Sequence, residues 1–200
     1  APVDRRRHWV CPTLTPLYYA PIYRDLSDGQ RLRYNQLTAL SFTELISYFE
    51  QAFAASLQAV QRRLGTADRQ FAQCLDDFLA DERLHGQLWQ ELNRASEPAW
   101  YCARQADRLV RIPRPVRWLL GQVVRRPARW PLVFWVMLAL EERSLEISQR
   151  CLRMPVDEID PQYREVYRHH LMDEVRHVQL DCHLIERYYA ALSPGWRKCN

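Results

Sequence analysis

Two eight-residue stretches, Asp81-Glu82-Arg83-Leu84-His85-Gly86-Gln87-Leu88 and Asp173-Glu174-Val175-Arg176-His177-Val178-Gln179-Leu180, carry Asp, Glu, His, Gln and Leu in register, 92 residues apart. In a helix, Glu and His three positions apart share one face. A lone Glu-x-x-His is a weak signal, but two in matching surroundings form an internal repeat. A chain built this way folds as two copies of a helical unit, and each copy needs a partner helix to cover its apolar side.

The helix punctuation agrees with a duplicated hairpin. Ser27 followed by Gln30 is a capping box, and no proline interrupts the run from there to Leu64, where Gly65 ends it. Thr66 or Asp68 caps a second helix to about Arg94, stopped by Ser96 and Pro98. A third helix runs from about Pro131 to Met154, before Pro155, and Asp160 with Pro161 opens a fourth that reaches about Leu192. Between the pairs, roughly residues 95–130 are broken by Pro113, Pro115 and Pro127 and read as a crossover with a short helix of its own. Short loops inside each pair and one long connection between pairs predict an all-α, ferritin-like four-helix bundle over residues 27–192. The prolines and aromatics of residues 1–26 (Pro2, Trp9, Pro12, Pro16, Tyr18, Tyr19, Pro21, Tyr23) predict an extended arm, and residues 193–200 a C-terminal tail.

Composition narrows the function classes. The longest apolar stretch, Leu132 to Leu140, is nine residues, too short for a membrane span, and no signal-peptide core follows Ala1 to Arg7, so a cytoplasmic protein without membrane association is expected. The six cysteines show no Cys-x-x-Cys spacing and read as buried or free thiols. Of 28 basic residues only Lys198 is a lysine, a bias that fits GC-rich coding. Arg104, Arg108, Arg111, Arg114, Arg117, Arg125, Arg126 and Arg129 face one acid, Asp107, and make the crossover strongly positive. That stretch is a solvated connector, a dock for an acidic carrier protein or reductase, or a source of one arginine for a substrate carboxylate. No reading helix or stacking aromatic set accompanies it, so no nucleic-acid partner is expected.

The repeat also predicts which acids the first helix of each pair supplies. Glu50 plus 92 is Glu142, whereas Glu44 maps to Val136 and Glu141 maps back to Phe49. Glu50 lies 14 residues before Leu64 and Glu82 lies 14 after Asp68, so the two carboxylates come level across an antiparallel pair; Glu142 and Glu174 do the same over 12 residues each. Apolar neighbours at helical spacing (Ile46, Phe53 and Leu57 around Glu50; Trp135, Leu138 and Leu145 around Glu142) argue against solvated faces. Four carboxylates and two imidazoles in a bundle core are the ligand set of a di-iron or di-manganese site. His170, one turn before Glu174, breaks the two-fold pattern, its counterpart being Phe78; it is an extra imidazole ligand or a packing histidine.

The arrangement Glu50, Glu82-x-x-His85, Glu142 and His170-x-x-x-Glu174-x-x-His177 resembles the di-iron N-oxygenase family typified by 4-aminobenzoate N-oxygenase, a branch of the ferritin-like superfamily, over roughly Leu26 to Tyr189. The resemblance implies Glu50 and His85 as terminal ligands of one iron, Glu142, His170 and His177 of the other, and bridging Glu82 and Glu174. It implies two iron ions as cofactor, with manganese the chemical alternative. The implied reaction is O2-dependent oxidation of a small-molecule, aromatic amine to hydroxylamine, nitroso or nitro product in natural-product (antibiotic) biosynthesis. It implies an electron-donor reductase or ferredoxin and is compatible with a homodimer. In similar sites the acid before each bridging Glu hydrogen-bonds the opposite ligand histidine, which pairs Asp81 with His177 and Asp173 with His85; a salt bridge to Arg176 is the alternative. Family members usually carry further helices after the fourth, while this sequence stops soon after it. Two other functions share most of these ligands, iron oxidation and storage in a ferritin-like cage and desaturation or hydroxylation of acyl chains.

Overall fold

The computed structural model describes residues 2–64, 68–101 and 108–198. Gly65, Thr66, Cys102, Arg104, Asp107 and Cys199 lie outside them. The described residues form a 3-10 turn, Pro12–Leu14, and seven α-helices: α1 (Pro21–Asp25), α2 (Asp28–Leu64), α3 (Arg69–Ser96), α4 (Arg114–Val124), α5 (Leu132–Leu152), α6 (Pro161–Tyr189) and α7 (Pro194–Arg197). No strand occurs among them. The fold is all-α and ferritin-like, with α4 in the long crossover between the second and third long helices.

The helix starts follow from their caps. Ser27 and Gln30 exchange hydrogen bonds at the head of α2, the Ser27 N–H donating to Gln30 Oε1 (2.9 Å) and the Gln30 N–H to Ser27 Oγ (3.3 Å). Asp68 Oδ1 accepts from the Phe71 N–H at 3.1 Å to open α3. Asp160 Oδ1 accepts from the N–H groups of Gln162 and Tyr163 at 2.8 and 3.0 Å, with Pro161 in the first turn of α6.

The chain divides into two compact units, and each of α2, α3, α5 and α6 contributes a segment to both. The first unit comprises residues 1–46, 87–111 and 144–172. Its core joins Trp9, Val10, Leu40, Trp89, Ile147, Cys151, Tyr163 and Tyr167. Here the N-terminal segment departs from an extended arm. Trp9 and Val10 are fully buried, Asn35 accepts from the Trp9 N–H and donates to the Val10 carbonyl, and His8 bridges to Ile159. Pro12 and Pro21 begin helical turns instead of preventing them, because proline's fixed φ suits the first turn and the hydrogen bond it lacks is not needed there. The C-terminal tail likewise opens with a helical turn, α7.

The second unit comprises residues 47–86, 112–143 and 173–200. Its apolar cluster joins Phe53, Leu57, Leu75, Phe78, Phe134, Met137 and Leu184. α4 lays Leu120, Val123 and Val124 on this cluster, and Ser56 Oγ donates to the Val124 carbonyl at 2.9 Å. The free thiols among the described residues are Cys11, Cys74, Cys151 and Cys182.

Candidate metal centre

Within the second unit the two Glu-x-x-His pairs meet. Glu82, His85, Glu174 and His177 are buried and offer ligand atoms within 4.8 Å of one another, and Glu50 does the same with His85 and Glu174. His177 Nδ1 lies 3.2 Å from Glu82 Oε1 and 3.3 Å from Glu174 Oε2. His85 Nδ1 lies 3.5 Å from Glu174 Oε1, 3.8 Å from Glu82 Oε1 and 3.9 Å from Glu50 Oε1. Glu82 and Glu174 thus each stand beside both imidazoles.

The opposite ring nitrogens are held by aspartates. Asp173 Oδ2 accepts from His85 Nε2 at 3.2 Å and Asp81 Oδ2 from His177 Nε2 at 3.3 Å. Arg176 donates to Asp81 (3.1 Å) and Asp173 (2.7 Å), so the salt bridge and the histidine contact coexist on the same two acids. Burial works against the Asp173 carboxylate, but hydrogen bonds from His85 and Arg176 leave it below the ordinary range. A hydrogen bond at Nε2 fixes each imidazole with Nδ1 directed at the carboxylates, the orientation in which a metal ligand is presented. Phe78 stacks on the His177 ring at 3.8 Å and locks its plane.

The acid expected at position 142 is a correction. Glu142 is exposed, and the neighbouring Glu141 is buried, where it shares a hydrogen bond with Glu174 and feels the charges of Glu82 and Asp181. α5 turns Phe134, Met137, Glu141, Ser144, Ile147 and Ser148 inward, while Trp135 and Val136 are exposed. Glu141 lies 91 residues after Glu50, not 92: the second hairpin has 33 residues from Glu141 to Glu174 where the first has 32 from Glu50 to Glu82. One residue rotates a side chain by about 100°, enough to exchange a buried acid for a solvated one. The inward apolar spacing of α5 carried that signal in the sequence.

Asp181 was not foreseen. It lies seven residues past Glu174 on the same face of α6, is fully buried, and neither carboxylate oxygen has a hydrogen-bond partner among the described residues. His170 is also buried, one turn before Glu174 on α6, and its ring packs edge-on against Trp89 at 4.9 Å. His169 and His183 are exposed.

The acids repel one another. Burial, assisted by Glu50 and Glu174, pushes Glu82 up to about 8, and burial with neighbouring acids raises Glu141 and Asp181 well above the usual range. Burial opposes charge on His177, yet its hydrogen bonds to Glu174 and Glu82 lift it to about 10. The cluster therefore has high affinity for positive charge. Carboxylate oxygens with imidazole nitrogens suit Fe(II) or Mn(II), so the residues present fit a pair of such ions, whose charge would offset the cost of burying the acids. An open groove of about 560 Å³ is lined by Phe71, Phe78, Asp81, Arg176, His177 and His183.

No helix among the described residues is long and apolar enough to cross a membrane. No curated protein and no solved structure matches the chain significantly. The family model of P-aminobenzoate N-oxygenase AurF matches residues 1–199, essentially the whole length, and the chain belongs to that family.

Proposed function

We propose that the chain is an O2-dependent di-iron oxygenase that oxidises the nitrogen of a small aromatic amine. The observation that carries this reading is the buried cluster of Glu50, Glu82, His85, Glu141, Glu174 and His177, whose acids are surrounded by other acids in a chain of the N-oxygenase family. These six residues would hold the metal pair, with His170, on the same face of α6, as a third imidazole donor. When bound and reduced, such a pair would supply the electrons that dioxygen takes up. The first oxidation is balanced as R–NH2 + O2 + 2e⁻ + 2H⁺ → R–NHOH + H2O.

The protein's own contribution is orientation and exclusion of water. Asp81 and Asp173 accept hydrogen bonds from Nε2–H of His177 and His85, so each imidazole keeps one tautomer and one angle, and Arg176 holds the two aspartates in place. Phe53, Phe78, Phe134 and Met137, buried in the same unit, keep the surroundings dry, which strengthens every charge interaction at the cluster.

The test loads the protein with iron, reduces it chemically, and mixes it with air and either 4-aminobenzoate or aniline. Hydroxylamine, nitroso or nitro products by mass spectrometry are expected. Bound iron that is oxidised without any change in either amine would contradict the assignment and favour iron handling.

A further inference from the structure

The proposed reaction consumes two electrons, and the 200 residues contain neither a Gly-x-Gly-x-x-Gly dinucleotide motif nor a Cys-x-x-Cys spacing for an iron–sulfur centre. In the oxygenase reading the electrons are supplied by an electron-transfer protein, which needs a place to dock. α4 offers one. Its inner side is anchored by Leu120, Val123 and Val124, while Trp118 is 67% and Leu119 58% exposed. Exposed tryptophan of this kind marks binding surfaces more than free ones.

The charge around these side chains is of one sign. From Arg108 to Leu140 the sequence holds seven arginines and no acid over 33 residues. Arg114, Arg117, Arg125 and Arg126 are exposed, and none forms an ion pair among the described residues. An apolar centre rimmed by unneutralised arginine complements an acidic protein, and such fields steer transient, weakly bound partners at high rates. α4 is tied to the helix that carries Glu50: Ser56, which donates to the Val124 carbonyl at the end of α4, is six residues and about 9 Å along α2 from Glu50.

We propose that the exposed Trp118 and Leu119 of α4, flanked by Arg114 and Arg117 and followed by Arg126 just past the end of the helix, form the docking surface for an acidic electron-transfer protein that reduces the metal centre. The proposal rests on the oxygenase reading above. The test uses the iron-loaded full chain under argon, with a plant-type [2Fe–2S] ferredoxin kept reduced by its reductase and NADPH, and follows reduction of the centre in a stopped-flow instrument. Rates should fall about tenfold or more between low and high salt, and again in Arg117→Glu/Arg126→Glu and in Trp118→Ser at constant salt. Reduction by dithionite through a viologen mediator, followed by a single turnover with 4-aminobenzoate, should be equal in all proteins. Failure of that chemical arm sinks the oxygenase reading, whereas failure of the ferredoxin arm alone sinks the docking surface. The surface is also overturned if ferredoxin reduces the variants as fast as the parent or reduces neither. Selective loss, in the same variants, of binding to phosphatidylglycerol vesicles, to an acidic acyl-carrier protein, or of self-association in sedimentation would overturn it as well, since each assigns the face to a different occupant.

Discussion

The two units of the molecule both bury acids, and they treat them in opposite ways. In the first unit, Glu44 accepts the N–H groups of Arg108, Leu109 and Val110 at 2.7 to 2.8 Å together with the Tyr101 hydroxyl. Glu97 is held by Arg5 and Arg33, and Asp160 by the N–H groups of Asp4, Gln162 and Tyr163. Each of these acids is surrounded by donors and closes a structural joint. In the second unit, Glu82, Glu141 and Glu174 are surrounded by one another and by two imidazoles that aspartates already orient. The difference teaches that burial alone does not mark a ligand. What marks it is an acid whose neighbours leave positive charge to be supplied from outside.

The comparison can be broken most sharply at Glu82. Glu82→Ala should lower metal affinity by at least about 100-fold while leaving the helical circular dichroism intact, because it removes a carboxylate shared by both imidazoles. Glu44→Ala should do the reverse, leaving metal content unchanged and costing about 3 kcal/mol in denaturant unfolding, since three backbone N–H groups and a hydroxyl lose a charged acceptor. If Glu44→Ala empties the site instead, the division into structural and ligand acids is wrong. Asp173→Asn should sit between them, with metal affinity reduced about 10- to 100-fold and little loss of stability, because the amide no longer fixes the His85 tautomer.

The same cluster also sets a pH dependence. Glu82 is raised from 4.5 to about 8 and His177 from 6.5 to about 10, so the folded metal-free protein binds more protons than the unfolded chain throughout that interval. Stability conferred by both groups is therefore fully present at low pH and is lost as pH rises through the folded values. The metal-free melting temperature should fall between about pH 5 and pH 9, and metal should reverse the trend, because its ligands bind as deprotonated groups. A metal-free protein that grows more stable over the same interval contradicts the assignment of these shifts.

Much of the fold was legible because its signals are local. Ser27 with Gln30, Asp68, and Asp160 with Pro161 are caps whose hydrogen bonds form within three residues, and they place the long helices whatever the tertiary context. The Glu-x-x-His pairs were legible for the same reason, since three residues of one helix fix a shared face. What escaped depended on distances between elements. The choice between Glu141 and Glu142 turned on one residue more between the acid and its paired motif in the second hairpin than in the first, which a rigid 92-residue offset cannot register. Asp181 escaped because the repeat places Trp89 at its counterpart, so duplication offers no signal for it. The N-terminal segment escaped because proline content describes what a segment does not form, while the burial of Trp9 is decided by Asn35 and Tyr167, 26 and 158 residues away.

The most direct test of the central claim is iron content per chain after anaerobic loading and desalting, compared between Glu141→Ala and Glu142→Ala. The account predicts two irons in the parent and in Glu142→Ala and fewer in Glu141→Ala. Loss of iron from Glu142→Ala with full loading of Glu141→Ala, or no stoichiometric iron in the parent, would contradict it.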